Sequence, residues 1–110
     1  MIFMPLMETI VCSAKKGSDA RLRRLLLARQ EFKRRQPGCL GAWLGKGADN
    51  PEMLLIQSIY VDGDHWKQIS DKIKEQLDHE DGGVESLLLG PPLVGLFEID
   101  GDDLASIKRE

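Results

Sequence analysis

Proton-transfer chemistry near neutral pH needs side chains that titrate or hydrogen-bond in range, and this chain has few: His65, His79 and Tyr60, its two histidines and single tyrosine. Trp43, Trp66 and Phe32 add flat apolar surface on which an aromatic ring can rest. Tyr60, His79 and His65 are therefore the candidate catalytic groups. Trp43, Trp66 and Phe32 are the candidate substrate-binding groups. Each also has a plain structural use. Trp66 falls on an apolar helical stripe, Trp43 can pack on a sheet or a second subunit, and Tyr60 can hydrogen-bond at a strand end. His65 adjoins a helix N-terminus, where a neutral exposed ring is ordinary, and His79 sits among acidic residues suited to a surface.

Other chemistries lack their residues. His65 and His79 are fourteen positions apart on or beside one helix, so roughly 21 Å of rise keeps them off a common metal within one subunit. Cys12 and Cys39 are not in CxxC spacing, and no metal site or other cofactor is expected. There is neither a G-x-S-x-G nor a P-loop, and the glycines at 38, 41, 45 and 47 precede a hairpin rather than a helix. Residues 1–61 carry ten Lys/Arg against five Asp/Glu, and residues 62–110 carry five against thirteen. The basic excess crowds onto one helix without an aromatic RNA-binding motif, so nucleic acid is not the expected partner.

The elements that must position these groups turn on Phe32–Gly41. Pro37 lacks an N–H and disfavours helical dihedrals at Gln36, and Gly38 can take the positive φ that reverses the chain. Before it, Ala20–Gln36 reads as an amphipathic helix with Leu22, Leu25, Leu26 and Phe32 on one stripe and Arg23, Arg24, Arg34 and Arg35 elsewhere; Ser18 or Asp19 can cap it. After it, Cys39–Gly45 and Met53–Val61 form an antiparallel hairpin across the turn-rich Lys46–Glu52. Met7–Ala14 is the first strand, with Ile10, Cys12 and Ala14 facing one way. A second helix spans about Asp64–Asp78, with Trp66, Ile69, Ile73 and Leu77 at helical spacing. Val84–Leu89 is a short turn or cover, and the rigid Gly90-Pro91-Pro92 leads into strand four, Leu93–Ile99. The order is β-α-β-β-α-β: an α+β, ferredoxin-like, four-stranded antiparallel sheet in one domain, with a core at about residues 7–100. Residues 101–110 read as a polar tail with at most a short helix around Leu104 and Ile107.

Two helices cover one face of such a sheet, yet the third strand is apolar on both. Met53, Leu55 and Ile59 alternate with Leu54, Ile56 and Tyr60. Strand four repeats this, with Leu93, Phe97 and Ile99 against Val94 and Leu96. Strands apolar on both faces need cover on both, and a second copy of the chain supplies it most simply. A homodimer packed sheet to sheet is therefore expected. Met1–Met7 is too short, and lacks the basic start, for a signal peptide or membrane span, so a cytoplasmic protein with reduced cysteines and no membrane contact is expected.

With Pro37-Gly38-Cys39-Leu40-Gly41 after a basic helix, the hairpin, and a second helix leading to Gly90-Pro91-Pro92, the chain resembles the antibiotic biosynthesis monooxygenase family over about Met7–Asp100. The resemblance implies a dimeric α+β barrel with an apolar pocket between each sheet and its own helices. Some members oxidise polycyclic aromatic molecules with O2 and neither metal nor flavin; others degrade haem. The family's tryptophan near the end of strand three is matched here by Ile59-Tyr60. The haem-degrading members' asparagine on strand one is absent, and His79 falls late on helix two, so haem chemistry is not expected. The resemblance thus implies a cofactor-independent monooxygenase for a small aromatic or quinol-like substrate. The alternative is a non-catalytic ligand-binding or stress-related module of the same fold.

Overall fold

A computed structural model describes residues 3–107. The elements are β1 (Leu6–Ser13), α1 (Asp19–Arg34), β2 (Cys39–Lys46), β3 (Met53–Tyr60) and α2 (Gly63–Lys72). A π-helical turn (Ile73–Asp78), α3 (His79–Asp81), a 3-10 turn (Glu85–Leu87), β4 (Leu93–Glu98) and α4 (Gly101–Ala105) complete the chain. The four strands form one antiparallel sheet in the order β2-β3-β1-β4. This is the ferredoxin-like α+β architecture that the element order predicts.

Period-two patterning assigns each strand two faces. Leu54, Ile56, Ser58 and Tyr60 of β3 are buried on the helix side. Cys12, Leu22, Leu26, Leu54, Ile56 and Leu88 form the core there, with Ile10, Ala14, Leu44, Val84 and Leu87 packed around them. On the opposite face Leu93 is 74% exposed and Phe97 54%, with Leu40, Trp43 and Met53 also open.

Several boundaries differ from the sequence reading, each for a local reason. The first helix stops at Arg34 because the amides of Arg35 and Gln36 turn back to the carbonyls of Phe32 and Lys33. Its inward face is not the Leu22–Phe32 stripe alone: Leu22, Leu26, Arg29, Gln30 and Lys33 are the buried set, whereas Phe32 is half-buried. The second helix is capped by Asp62, whose carboxylate accepts the His65 N–H at 2.9 Å. It passes through the π turn and persists to Asp81, ending at Gly82 with φ 85°. Val84–Leu89 carries the expected short turn, at Glu85–Leu87, with Leu88 buried in the core, and it also pairs with the end of β1: Leu88 bridges Ala14, and the Leu89 amide donates to the Ser13 carbonyl. Gly101–Ala105 is a capped helix, Asp100 accepting from the Asp102 amide at 2.8 Å. The last three residues of the predicted tail lie outside the described residues.

The turn at Pro37-Gly38 holds by close approach as well as by φ. Gly38 has φ 90°, and a Cβ added there would meet His65 Cδ2 at 2.2 Å. Gly17 has φ 87° but open space around it. Gly17→Ala should then cost about 1–2 kcal/mol, the left-handed penalty alone. Gly38→Ala should cost clearly more, and adding His65→Ala should recover only part of the excess, because the His65 Cβ, 2.7 Å from the added methyl, remains. Urea unfolding of the variants measures all three.

Candidate active site

Antiparallel register sets side chains of paired residues on the same face, so the helix side of the sheet can be read in rows. Leu44, Ile56, Ile10 and Val94 form one row across β2, β3, β1 and β4. The next row is Ala42, Ser58, Glu8 and Leu96. One step along the sheet therefore changes an apolar floor into one bearing a carboxylate and a hydroxyl. α1 crosses this floor with its Leu22–Leu26 end over the apolar core and its Gln30–Lys33 end over the polar row.

Three elements converge on Glu8 of β1, which is 9% exposed. Trp66 of α2 donates its indole N–H to Oε2 at 2.8 Å. Lys33 of α1 approaches Oε1 at 3.4 Å and donates to Ser58 Oγ of β3 at 3.0 Å. The Tyr60 hydroxyl lies 3.5 Å from Oε1. Burial, then the charge of Glu8, raises the Tyr60 pKa, so this group stays a phenol and donates. Burial pushes the Lys33 ammonium below the usual lysine value, opposed by the attraction of Glu8. Gln30 is fully buried, its Nε2 donating to the carbonyls of Trp43 and Gln57 and approaching Ser58 Oγ, while its Oε1 has no partner among the described residues.

This cluster borders a cavity of about 260 Å³ between sheet and helices. Ile10, Cys12, Leu26, Ile56, Leu88 and Val94 supply apolar lining; Glu8, Gln30, Lys33 and Arg29 supply polar lining. The π turn contributes Ile73, Lys74 and Asp78. Arg29 fixes that turn to α1, with its guanidinium on Asp78 at 2.6 Å and bidentate on Asp81 at 2.9 and 3.0 Å. Burial alone would lower the Arg29 pKa, but the two carboxylates outweigh it and the net shift is upward. Asp81 is held below the usual carboxylate value, first by its hydrogen bond from Arg29.

Two of the six sequence candidates, Tyr60 and Trp66, meet at Glu8. His65 lies at the α2 N-terminus with Nδ1 2.7 Å from Asp62 Oδ1, and His79 is exposed on α3; neither lines the cavity. Trp43 is on the opposite face of the sheet, its indole N–H on Gln57 Oε1 at 3.1 Å. Phe32 also lies outside the cavity lining. The groups that sequence reasoning passed over are Glu8, Lys33, Gln30 and Ser58. Their signal was parity: Glu8 shares the face of Ile10 and Cys12, and Lys33 lies seven residues from Leu26. Among the described residues no cluster of three or more His, Cys, Asp or Glu is placed to hold a metal. No helix among them is long and apolar enough to cross a membrane.

The sequence profile described as antibiotic biosynthesis monooxygenase matches residues 5–71, from the start of the sheet into α2. The chain belongs to this family. Solved structures with the same fold include Rv0793 from Mycobacterium tuberculosis (22% identical, 84% of this chain and 92% of that one covered, TM-score 0.74). PA3566 from Pseudomonas aeruginosa is similar at 20% identity over 91% and 96% of the chains, with a TM-score of 0.72. A mutant of SnoaB, a cofactor-independent oxygenase from Streptomyces nogalater, matches at 18% identity over 84% and 90%, with a TM-score of 0.70. At these identities the likeness is one of fold. No curated protein matches the chain in sequence. The family's expected tryptophan is not near the end of β3, but an indole reaches Glu8 from Trp66 on α2.

Removing one member of a buried ion pair strands the other, so Lys33→Met should cost about 3 kcal/mol or more. Adding Glu8→Gln should recover roughly half of that loss, because no uncompensated charge remains. The pH dependence has a definite sign. With the folded pKa of Lys33 below its unfolded value of 10.5, the unfolded chain binds more protons between the two values. Stability therefore rises with pH through that window, and the cost of burying the ammonium is full below it. Comparing wild type with Lys33→Met by denaturant titration at several alkaline pH values isolates this term from Tyr60, which acts in the opposite direction.

Proposed function

We propose that this family member is a cofactor-independent monooxygenase acting on a small aromatic or quinol-like substrate in the cavity between sheet and helices. The observation that carries the reading is the Glu8–Lys33 pair beside apolar walls. The walls accept a ring, and the volume is just below the ~300–1,000 Å³ usual for drug-sized ligands, which favours a small one. Glu8 takes a proton from the substrate. Lys33 stands where a negative charge developing on the substrate oxygen would be stabilised, and its own burial strengthens the attraction. Tyr60 and Trp66 hold Glu8 in place by donating to it. The electron-rich anion then reacts with O2 directly: one oxygen atom bonds to a ring carbon and the other leaves as water. A quinol plus O2 thus gives a hydroxyquinone plus water, the substrate supplying all the electrons.

We also propose that the working unit is a homodimer formed through the uncovered sheet face. Leu40, Trp43, Met53, Leu93 and Phe97 are all more than one-third exposed there, and a monomer rarely leaves a contiguous apolar patch of that kind in water. Gln57 at its centre is already tied to Trp43, Thr9 and Met7, so its amide is satisfied without solvent.

Oxygen uptake with hydroquinones and anthrones in metal-free buffer tests the reaction. Uptake should be enzyme-dependent, and Glu8→Gln should lower kcat/KM by about 100-fold or more. Uptake no greater than the blank across the panel would leave a ligand-binding module without turnover. Sedimentation equilibrium tests the assembly: wild type should run as a dimer, and Leu93→Glu with Phe97→Glu as a folded monomer.

A further inference from the structure

We infer that Lys33 is an amine nucleophile that forms a Schiff base with a small aromatic aldehyde or ketone held in the cavity. The inference rests on the same cavity as the oxygenase reading but needs no O2. Schiff-base formation asks for a primary amine out of bulk water, a nearby group that can take and return protons, and a dry pocket for the carbonyl compound. Lys33 supplies the first: it lines the cavity at 6% exposure, held by Ser58 Oγ at 3.0 Å. Glu8, 3.4 Å away, supplies the second. Leu26, Ile56 and Leu88, all buried, supply the third.

That placement sets the step. Nζ bonds to the carbonyl carbon, the C=O π pair moves to oxygen, and the proton released from Nζ passes by way of Glu8 to that oxygen, giving a carbinolamine. Loss of water, with Glu8 returning a proton to the leaving hydroxyl, gives the imine. The balance is one amine plus one carbonyl to one imine plus one water. Burial, which pushes the Lys33 pKa down, raises the share of free amine.

Anaerobic incubation with stoichiometric benzaldehyde and cyanoborohydride, followed by peptide mapping, provides the test. The benzylated residue should be Lys33, labelled about tenfold or more faster than exposed Lys67, Lys72 and Lys74, as expected when the pocket holds both reactants together. Lys33→Arg should lose the label, and Glu8→Gln should slow it by about 100-fold. Labelling of Lys33 no faster than the surface lysines, or preferential labelling of Lys74 at the cavity rim, overturns the inference. If Lys33→Arg does not fold, the wild-type map alone decides. Oxygen uptake without trapping removes this inference and leaves the oxygenase reading standing; trapping without uptake does the reverse.

Discussion

A carboxylate and an ammonium buried together are tolerable only if their remaining hydrogen-bonding capacity is met by the protein. Glu8 and Lys33 impose that condition on nearly every element of the helix-covered face. β1 supplies the carboxylate, α1 the ammonium, β3 the Ser58 hydroxyl and the Tyr60 phenol, and α2 the Trp66 indole. The apolar contacts around Leu22, Leu26 and Leu54 are less particular, since many side-chain sets of similar volume fill a core. The polar node fixes how far along the sheet α1 must lie and which side of α2 must face inward. Displacing α1 would leave a buried charge uncompensated, which costs far more than a lost apolar contact, and displacing α2 would take the Trp66 donor from Glu8.

The same sheet answers to a different constraint on its other side. There the register gathers Met53, Trp43, Leu93 and Phe97, and only the short α4 reaches that face, where Leu104 and Ala105 share a groove with Leu40, Trp43 and Ile59. The chemistry-bearing row and the uncovered face share strands but not residues, because successive side chains point in opposite directions. Thr9 and Gln57 tie together on the open side while their neighbours Glu8 and Ser58 tie to Lys33 on the covered side. The open apolar face and the cavity can therefore vary separately, and a change at Phe97 need not reach Glu8.

Much of the architecture was legible because it rests on period and punctuation. The Pro37-Gly38 reversal, the hairpin and the two-faced β3 all follow from residue types within a few positions. The site was less legible because it rests on exceptions to those patterns. Arg29, Gln30 and Lys33 look like solvated helix positions beside Arg23 and Arg34, yet they face inward because partners distant in sequence wait there: Asp78 and Asp81 for Arg29, the Trp43 and Gln57 carbonyls for Gln30, and Glu8 of β1 for Lys33. Long basic side chains carry apolar stems, so their burial leaves the hydrophobic stripe unchanged. Tyr60 and Trp66 were visible as candidates by type, but what they touch depends on register. The histidines drew attention for their pKa range, and the fold gives them other places: His65 packs on Gly38, and His79 faces solvent.

The π turn explains how an apolar seam becomes a cavity. A regular α-helix through Ile73–Asp78 would keep its ladder and carry its inward stripe straight on over the sheet. The i→i+5 turn inserts one residue and rotates the helix beyond it, a device concentrated at functional sites. Both Asp78 and Asp81 then reach Arg29, whose two-pronged grip holds the turn to α1. Further along, Gly82 and Gly83 both take positive φ and send the chain toward the edge of β1, where Leu88 is buried. The lid over the Ile10–Ile56–Val94 row is thus fastened at both ends, by ion pairs at Arg29 and by backbone hydrogen bonds at Ser13 and Lys15. Space remains beneath it because neither fastening inserts a side chain large enough to fill it. Glu8 and Lys33 border that space already paired, so a ligand entering it meets polar groups whose positions were set by folding.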